Sequence, residues 1–415
     1  MLTRIGQAFS PVLFLFAVQA APLPPTYYHD IQPLIQAHCQ SCHRPGEVAP
    51  MSLGSYKEVR PWANSIKEAV LLKKMPPWLA DPHFGKFAND RSLSPQQIDL
   101  IRSWVDAGAP EGDPKDAHSG PKFIEGWNIP QPDAVLQMPQ PFKVPADGKV
   151  DYQYIVLPTK FTEDKWVQMA ETRPTNRAVV HHMVVFIRTP DSKWLRDAKP
   201  GIPFQPPPEN LENISGGDSE ILTIYTPGIV PDVYQPGQAK LIKAGSDLIL
   251  QAHYTPNGKD AEDATRIGLV FAKEPPTERI RTISAAPTDF VIPPGDPDYP
   301  VVGNIRFRGP ARIVSFFPHM HLRGRDFEYR AIYPNGETAT LLKVPHYDFN
   351  WQLAYKPAGD LEIPAGTRIE CTAHFDNSPN NPNNPDPKAS VRFGEQSWEE
   401  MAIGFLDIAQ PVHRP

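Results

Sequence analysis

Proline constrains the fold of this chain more than any other feature. The 415 residues include 51 prolines and 26 glycines, and both types occur along the whole length. Proline breaks helices and is confined to the edges and ends of strands, so this spread favours short strands joined by turns. Nine runs rich in β-branched and aromatic residues alternate with turn residues, at 152–157, 166–170, 178–187, 248–254, 267–271, 312–317, 327–333, 368–375 and 401–408. The pattern predicts β-sandwiches over most of the chain.

Length and charge limit the organisation and the partners of the chain. A chain of 415 residues is too long for one core, so two or three domains are expected. Residues 1–21 combine Arg4, an apolar run at 11–18 and small residues near Ala21, which predicts an export signal and a periplasmic protein. The apolar run is too short to span a membrane, and no later stretch predicts a transmembrane segment. A net charge of −6 without a Lys or Arg run argues against a nucleic-acid partner.

A C-x-x-C-H motif at Cys39, Cys42 and His43 is typical of covalent attachment of a c-type haem. In this motif the two cysteines form thioethers with the porphyrin, and the histidine binds the iron. The alternatives are a thioredoxin-like redox pair and half of a zinc site. Helix signals on both sides, at 30–36 and 94–108, favour the haem interpretation.

Residues 24–113 as a whole resemble small exported cytochromes c, which implies a small all-α domain with one covalent haem. The second iron ligand is predicted to be Met75, because two prolines follow it and force an extended loop that presents the thioether. Met51 and His83 are the alternatives. Residues 114–135 are rich in Pro, Gly and Asp and are predicted to form a linker or a strap between domains.

Histidines recur in the predicted strands at spacings that suit metal binding. His319 and His321 are two residues apart, so on a strand both imidazoles face the same side. His181 and His182 are adjacent, so both reach one metal ion only if the strand has a bulge or if they use different ring nitrogens. An ordinary core or surface position is the alternative for each. Four histidines in two predicted strands indicate a candidate metal centre.

The order of several short segments makes this indication more specific. They are His-His-Met at 181–183, Gln-x-His-Tyr at 251–254, His-x-His at 319–321 and Glu-Met at 400–401. With these segments, residues 136–415 resemble the copper type II, ascorbate-dependent monooxygenases, the family of peptidylglycine α-hydroxylating monooxygenase and dopamine β-hydroxylase.

That resemblance implies two jelly-roll β-sandwiches, at 136–280 and 281–415, that each carry one copper ion and face each other across an open cleft. The first copper would store an electron, and the second would bind O₂ and hydroxylate a C–H bond of a small organic substrate. Imidazole suits both copper oxidation states, and a thioether favours Cu(I). The resemblance assigns His181, His182 and His253 to the first copper, assigns His319, His321 and Met401 to the second, and counts Gln251 with the catalytic residues.

Two departures from the family pattern bear on substrate and stability. Phe317, Ile403 and Phe405 stand where the peptidylglycine enzyme holds a substrate carboxylate with Arg, Asn and Tyr, which predicts a neutral substrate. Cys371 occupies one half of a family disulfide whose other position is Ala402 here, so a buried free thiol is expected.

Taken together, these patterns predict an exported fusion of a cytochrome c domain with a dicopper monooxygenase. The haem would receive electrons from a small reductant or a redox protein and pass them on one at a time, and tethering would raise their effective concentration. The alternatives are a non-catalytic copper-binding redox module and a haem electron carrier with a β-sandwich docking domain. His374 has no counterpart in the family pattern and is expected to be a surface or loop-anchoring residue rather than a ligand.

Overall fold

A computed structural model describes residues 23–123, 126–206 and 219–412. Over these residues the protein is mainly β with short helices near the N-terminus, which confirms the predicted class at this level. The helices are α1 (Gln32–His38), α2 (Tyr56–Val59), α3 (Ala63–Leu71) and α4 (Pro95–Asp106). The predicted export signal lies outside the described residues. No helix in the described ranges is both long and apolar enough to cross a membrane.

The strands begin after residue 133 and form several sheets. They are β1 (Ala134–Gln137), β2 (Phe142–Val144), β3 (Gln153–Pro158), β4 (Lys165–Arg173), β5 (Val180–Arg188), β6 (Ser219–Tyr225), β7 (Asp232–Val233), β8 (Gln238–Ile242), β9 (Asp247–Tyr254), β10 (Ala261–Asp263), β11 (Arg266–Phe271), β12 (Glu278–Ala285), β13 (Val291–Ile292), β14 (Tyr299–Arg306), β15 (Ala311–His319), β16 (Gly324–Ile332), β17 (Thr338–Val344), β18 (Leu361–Ile363), β19 (Arg368–Phe375), β20 (Val391–Arg392) and β21 (Ile403–Pro411).

One long sheet faces two short ones. The nine-stranded sheet has the order β1-β11-β4-β8-β12-β21-β15-β18, with β7 paired to β4, and the four-stranded sheets are β3-β9-β5-β6 and β14-β19-β16-β17. Leu250 and Leu269 belong to the buried cluster between the long sheet and the first short sheet. Phe327 and Leu406 belong to the cluster between the long sheet and the second. These clusters define a first half, β1–β11, and a second half, β12–β21.

Parallel pairing of β8 with β12 joins the two halves. Strand β12 begins at Glu278, so it runs through the domain boundary predicted between residues 280 and 281. A further buried cluster contains Ile249 from the first half and Phe405 from the second, so side chains of both halves share one apolar core.

The N-terminal helices enclose their own core. Helix α4 begins with a capping box, in which the Ser94 hydroxyl accepts a hydrogen bond from the Gln97 N–H at 3.2 Å and the Gln97 side chain accepts one from the Ser94 N–H at 2.8 Å. Its buried face includes Trp104, which packs in a cluster with Ile35 and Val59.

Two segments outside the helices and strands, around Trp78 to Phe87 and around Trp127, pack against the β halves. The rings of Trp78 and Phe87 lie 5.0 and 5.6 Å from that of Tyr355 in the second half. Trp127, inside the predicted linker, is buried against the first half, where a Cβ on Gly268 would lie 2.8 Å from its ring. Apolar side chains in this Pro-rich segment therefore make it a packed strap.

Candidate metal centre

Three imidazoles from β5 and β9 converge in the first half. His182 lies opposite His253 in the antiparallel pairing, and the register shifts between Val180 and His182. This bulge turns His181 to the same side as its neighbour, which is one of the two arrangements that adjacent ligands require. Ring nitrogens of the three histidines all lie within 4.8 Å of one another, and the Nδ1 atoms of His181 and His182 are 3.1 Å apart.

The surroundings of these imidazoles favour metal binding. Burial lowers the pKa of His181 to about 4, and burial together with the neighbouring imidazoles holds the pKa values of His182 and His253 well below the usual range. All three rings are therefore neutral at pH 7, as metal ligation requires. Within the described structure, Nε2 of His181 and Nδ1 of His253 are buried without a hydrogen-bond partner. A metal ion would satisfy them, and a His₃ set suits copper or zinc.

A second pair of imidazoles stands at the end of β15. The Nδ1 atom of His319 lies 2.7 Å from the side-chain oxygen of Gln352, and Nδ1 of His321 lies 3.2 Å from the carbonyl oxygen of Glu399. If each Nδ1–H donates to that oxygen, Nε2 of each ring is left to bind a metal, as is usual for histidine ligands. Nε2 of His321 is buried and has no partner among the described residues.

Met401 lies beside this pair. Strands β15 and β21 are antiparallel with His319 opposite Ile403, so Met401, two residues before Ile403, lies near the end of β15. Met401 is buried and lines the same cavity as His319. A soft thioether is thus available next to two imidazoles.

Glu400 fixes the backbone around His321. Its carboxylate accepts hydrogen bonds from the N–H of His321 at 2.9 Å and of Arg323 at 2.7 Å. The Arg323 side chain is itself buried and donates to the Asn377 side chain and to the Trp398 carbonyl, both at 2.9 Å. Burial raises the pKa of Glu400 to about 8, against the opposing effect of the two N–H donors.

The two histidine groups meet at a closed junction. The ring centroids of His182 and His319 are 6.2 Å apart. Phe349 stacks on His181 at 4.2 Å and lies 6.0 Å from His321, so its ring stands between the groups. The open cleft that the family resemblance implied is therefore not present, because the strand pairing and the apolar cluster shared by the halves draw them together.

A mostly apolar cavity lies at this junction. Phe317, Ile403 and Phe405, the residues that replace a carboxylate-binding set, all line it. The other lining residues are Tyr152, His182, Val184, Phe186, Ile221, Ile224, Thr226, Gln251, His319, Gln352 and Met401.

Gln251 belongs to a buried network across the two halves. Its side-chain nitrogen donates to the Tyr154 hydroxyl at 2.5 Å and to a Glu395 oxygen at 3.3 Å, and the Tyr154 hydroxyl donates to the same carboxyl. Burial raises the pKa of Glu395 to about 7, although the Tyr154 hydrogen bond opposes this.

Sequence reasoning missed four residues of the site, namely Tyr154, Phe349, Gln352 and Glu395. None of them lies in a recognisable motif. The pairing of β3 with β9 places Tyr154 opposite Gln251, a contact that only the structure reveals.

The C-x-x-C-H motif retains the features that haem attachment needs. Cys39 and Cys42 are both free thiols rather than a disulfide. Nδ1 of His43 lies 3.3 Å from the Met51 carbonyl oxygen, an acceptor that would orient the ring and leave Nε2 for iron. Cys39 and Met51 both pack against the helical core. These residues fit a covalent haem.

The remaining candidates fall in different places. Met75 is half-buried, whereas the His83 side chain is 82% exposed and lies 2.7 Å from Asp81, so His83 is oriented towards solvent. Nδ1 of His374 lies 2.8 Å from a carboxylate oxygen of Asp326, and His374 contributes to neither histidine group. Cys371 is buried, and its Sγ would lie 2.5 Å from a Cβ on Gly404.

We expect the metal-free protein to lose stability as pH falls from about 6.5 to about 4, because His181 and His319 stay neutral in the fold down to about 4. Each contributes up to about 1.4 kcal/mol per pH unit in this window. Glu395 and Glu400 have the opposite effect, because burial raises their pKa values. Their contribution to folding stability is complete below about pH 4.5 and is lost as pH rises through about 7 and 8. Urea midpoints measured across this range test the balance. The decrease in urea midpoint between about pH 6.5 and 4 should be smaller in His181→Gln but unchanged in His374→Gln. An equal decrease in the two variants would contradict this assignment.

Comparisons with known proteins add little. No protein-family model and no curated protein matches the chain. Solved structures with partial similarity include the Penaeus vannamei nodavirus particle, at 11% identity over 68% of this chain and 98% of that one, with a TM-score of 0.20. Another is VP54 of PBCV-1 fitted into the virophage Sputnik, at 8% identity over 71% of this chain and 100% of that one, with a TM-score of 0.23. TM-scores this low indicate neither a shared fold nor a shared function.

Proposed function

We propose that this protein is an exported dicopper monooxygenase that hydroxylates a C–H bond of a small organic substrate with O₂ and receives electrons through a covalent c-type haem. The observation that carries the proposal is the convergence of His181, His182 and His253 beside His319 and His321, with two buried nitrogens that have no partner among the described residues. The proposal includes membership of the copper type II, ascorbate-dependent monooxygenases.

The finer architecture belongs to the same proposal. It comprises a cytochrome c domain at 24–113, a strap at 114–135 and two jelly-roll sandwiches at 136–280 and 281–415. The helical core and the two clusters between facing sheets support this division.

When bound, copper would supply electron storage and oxygen activation, and haem would supply single electrons. The residues of the chain orient and protect these groups. Gln352 and the Glu399 carbonyl hold the rings of His319 and His321 so that Nε2 faces the site. Met75 remains our choice for the second iron ligand because it precedes the extended Pro76–Pro77 loop.

Hydroxylation consumes O₂, two electrons and two protons and releases water together with the alcohol. The carboxyl of Glu395 is suited to hold one of these protons, because burial raises its pKa to about 7. Gln251 connects this carboxyl to the cavity, since it lines the cavity and donates to Glu395 at 3.3 Å.

We expect neutral aromatics with a benzylic C–H bond to be oxidised and glycine-extended peptides to be poor substrates. Phe317, Ile403 and Phe405 offer a carboxylate no partner, and a lost charged hydrogen bond costs about 1.5–3 kcal/mol. This corresponds to roughly 10- to 150-fold in kcat/KM. Oxygen uptake with both substrate classes, driven by reduced haem, measures the preference. Turnover of the peptide alone would show that these side chains do not line the substrate site.

We expect the purified protein to contain two copper ions and one covalent haem per chain. His182→Ala removes one of three ligands and should lower copper to about one per chain without changing the haem band. Metal analysis and the absorption spectrum test this, with His346→Ala as the control because His346 is exposed and belongs to no cluster of potential ligands among the described residues. Zinc in place of copper, or one metal ion in the unaltered protein, would rule out the dicopper centre.

A non-catalytic copper-binding redox module is the second candidate. The 6.2 Å approach of His182 to His319 and the Phe349 ring between the groups favour it, because they leave little room for a substrate. Copper loading without substrate-dependent oxygen uptake by any compound would favour this module.

A further inference from the structure

A second cavity, of about 320 Å³, lies between the C-x-x-C-H segment and the first half. Cys42 and Glu47 line it from the helical side, and Glu171 from β4 and Tyr225 from β6 line it from the β side. None of these β residues has a part in the proposed copper chemistry.

Positive charge exceeds negative charge around this cavity. Arg44, Arg91 and Arg177 line it. Glu47 forms ion pairs with Arg44, Arg173 and Arg177, and Glu171 pairs with Arg173. Three lining arginines and Arg173 behind them thus accompany two carboxylates, which leaves two positive charges uncompensated among these groups.

Arg91 is the cation that is open to a ligand. Its guanidinium donates to the Gly228 carbonyl at 2.8 Å, and among the described residues it forms no ion pair. A guanidinium has five N–H donors and binds a carboxylate in a bidentate manner.

Unsatisfied hydroxyls and apolar walls complete the cavity. Tyr225 and Thr172 line it, and the hydroxyl of each is buried without a partner in the described structure. Such a donor is destabilising unless it finds an acceptor. Phe123, Ile224 and Val230 supply apolar surface for the body of an organic molecule.

We propose that this cavity binds the carboxylate of an organic acid. The acid has two possible sources with the same chemistry. One is a propionate of a haem attached at Cys42, which rests on the proposed function, and the other is a free organic acid, which does not.

The test uses the full-length, haem-loaded protein and calorimetric titration with benzoate and with its neutral analogue benzamide. If the site takes a free acid, benzoate should bind at least ~10-fold more tightly than benzamide. Arg91→Gln should abolish that preference, Arg91→Lys should retain part of it, and Tyr225→Phe should weaken benzoate binding about fivefold.

If a haem propionate occupies the cavity, benzoate should not bind, and Arg91→Gln should instead shift the haem midpoint potential and its pH dependence. Arg60→Gln, which alters an exposed arginine in the helical part, should change neither measurement. Equal affinity for the two probes, or no benzoate binding together with an unchanged potential in Arg91→Gln, would overturn the proposal. Copper content reports separately on the proposed oxygenase, so the two failures are distinguishable.

Discussion

Met401→Ile is expected to reduce oxygen-dependent turnover by at least about 100-fold while copper content stays near two per chain. Loss of a residue that only supports a metal ligand typically costs 10–100-fold, and Met401 is assigned as a ligand itself. His319 and His321 remain and suffice to hold Cu(II), whereas the thioether favours Cu(I). Oxygen uptake and metal analysis of one preparation measure both effects.

Met138→Ile is the matched control for this substitution. Met138 is buried in the core of the first half and belongs to neither histidine group, so the same change there reports on packing. It should leave turnover within a few-fold of the unaltered protein, since a hydrophobic exchange of similar volume costs less than about 1.5 kcal/mol. Full activity of Met401→Ile, or equal losses in both variants, would remove Met401 from the oxygen site.

Local periodicity accounts for what the sequence predicted well. The mainly β chain with short N-terminal helices is confirmed, and the capping box of α4 occurs where Ser94 and Gln97 predicted it. The bulge between Val180 and His182 is one of the arrangements that the sequence left open for two adjacent ligands, and the structure selects it. Two jelly-roll sandwiches remain a prediction.

Contacts between distant segments account for what the sequence could not predict. Gln352 contacts His319, which is 33 residues away in the sequence, and Glu395 contacts Tyr154, which is 241 residues away. Neither Gln352 nor Glu395 lies in a motif. The closed junction depends on how the halves pack, so the expectation of an open cleft, which came from resemblance alone, was wrong. The burial of Trp127 decides between the linker and the strap that the sequence left open for residues 114–135.

Glu400 shows how such contacts support the site. Its sequence neighbour Met401 is a proposed copper ligand. Glu400 instead anchors the His-x-His segment, because its carboxyl accepts hydrogen bonds from the N–H groups of His321 and Arg323. Its carboxyl is fully buried, and so is the Arg323 side chain, at 4.0 Å. A group that satisfies two backbone donors and faces a buried cation has no substitute in an apolar interior.

We therefore expect Glu400→Ala to lower the free energy of unfolding by about 4 kcal/mol. Each of the two buried N–H groups left without an acceptor costs about 1–3 kcal/mol, and the Arg323 side chain loses its buried neighbour. Glu400→Gln keeps one acceptor and should lose less, about 1–3 kcal/mol. Glu362→Ala, at an exposed position of β18, should stay within about 0.5 kcal/mol. Urea unfolding of the metal-free variants measures all three. A Glu400→Ala protein within about 1 kcal/mol of the unaltered one would mean that the His321 segment is held by other contacts.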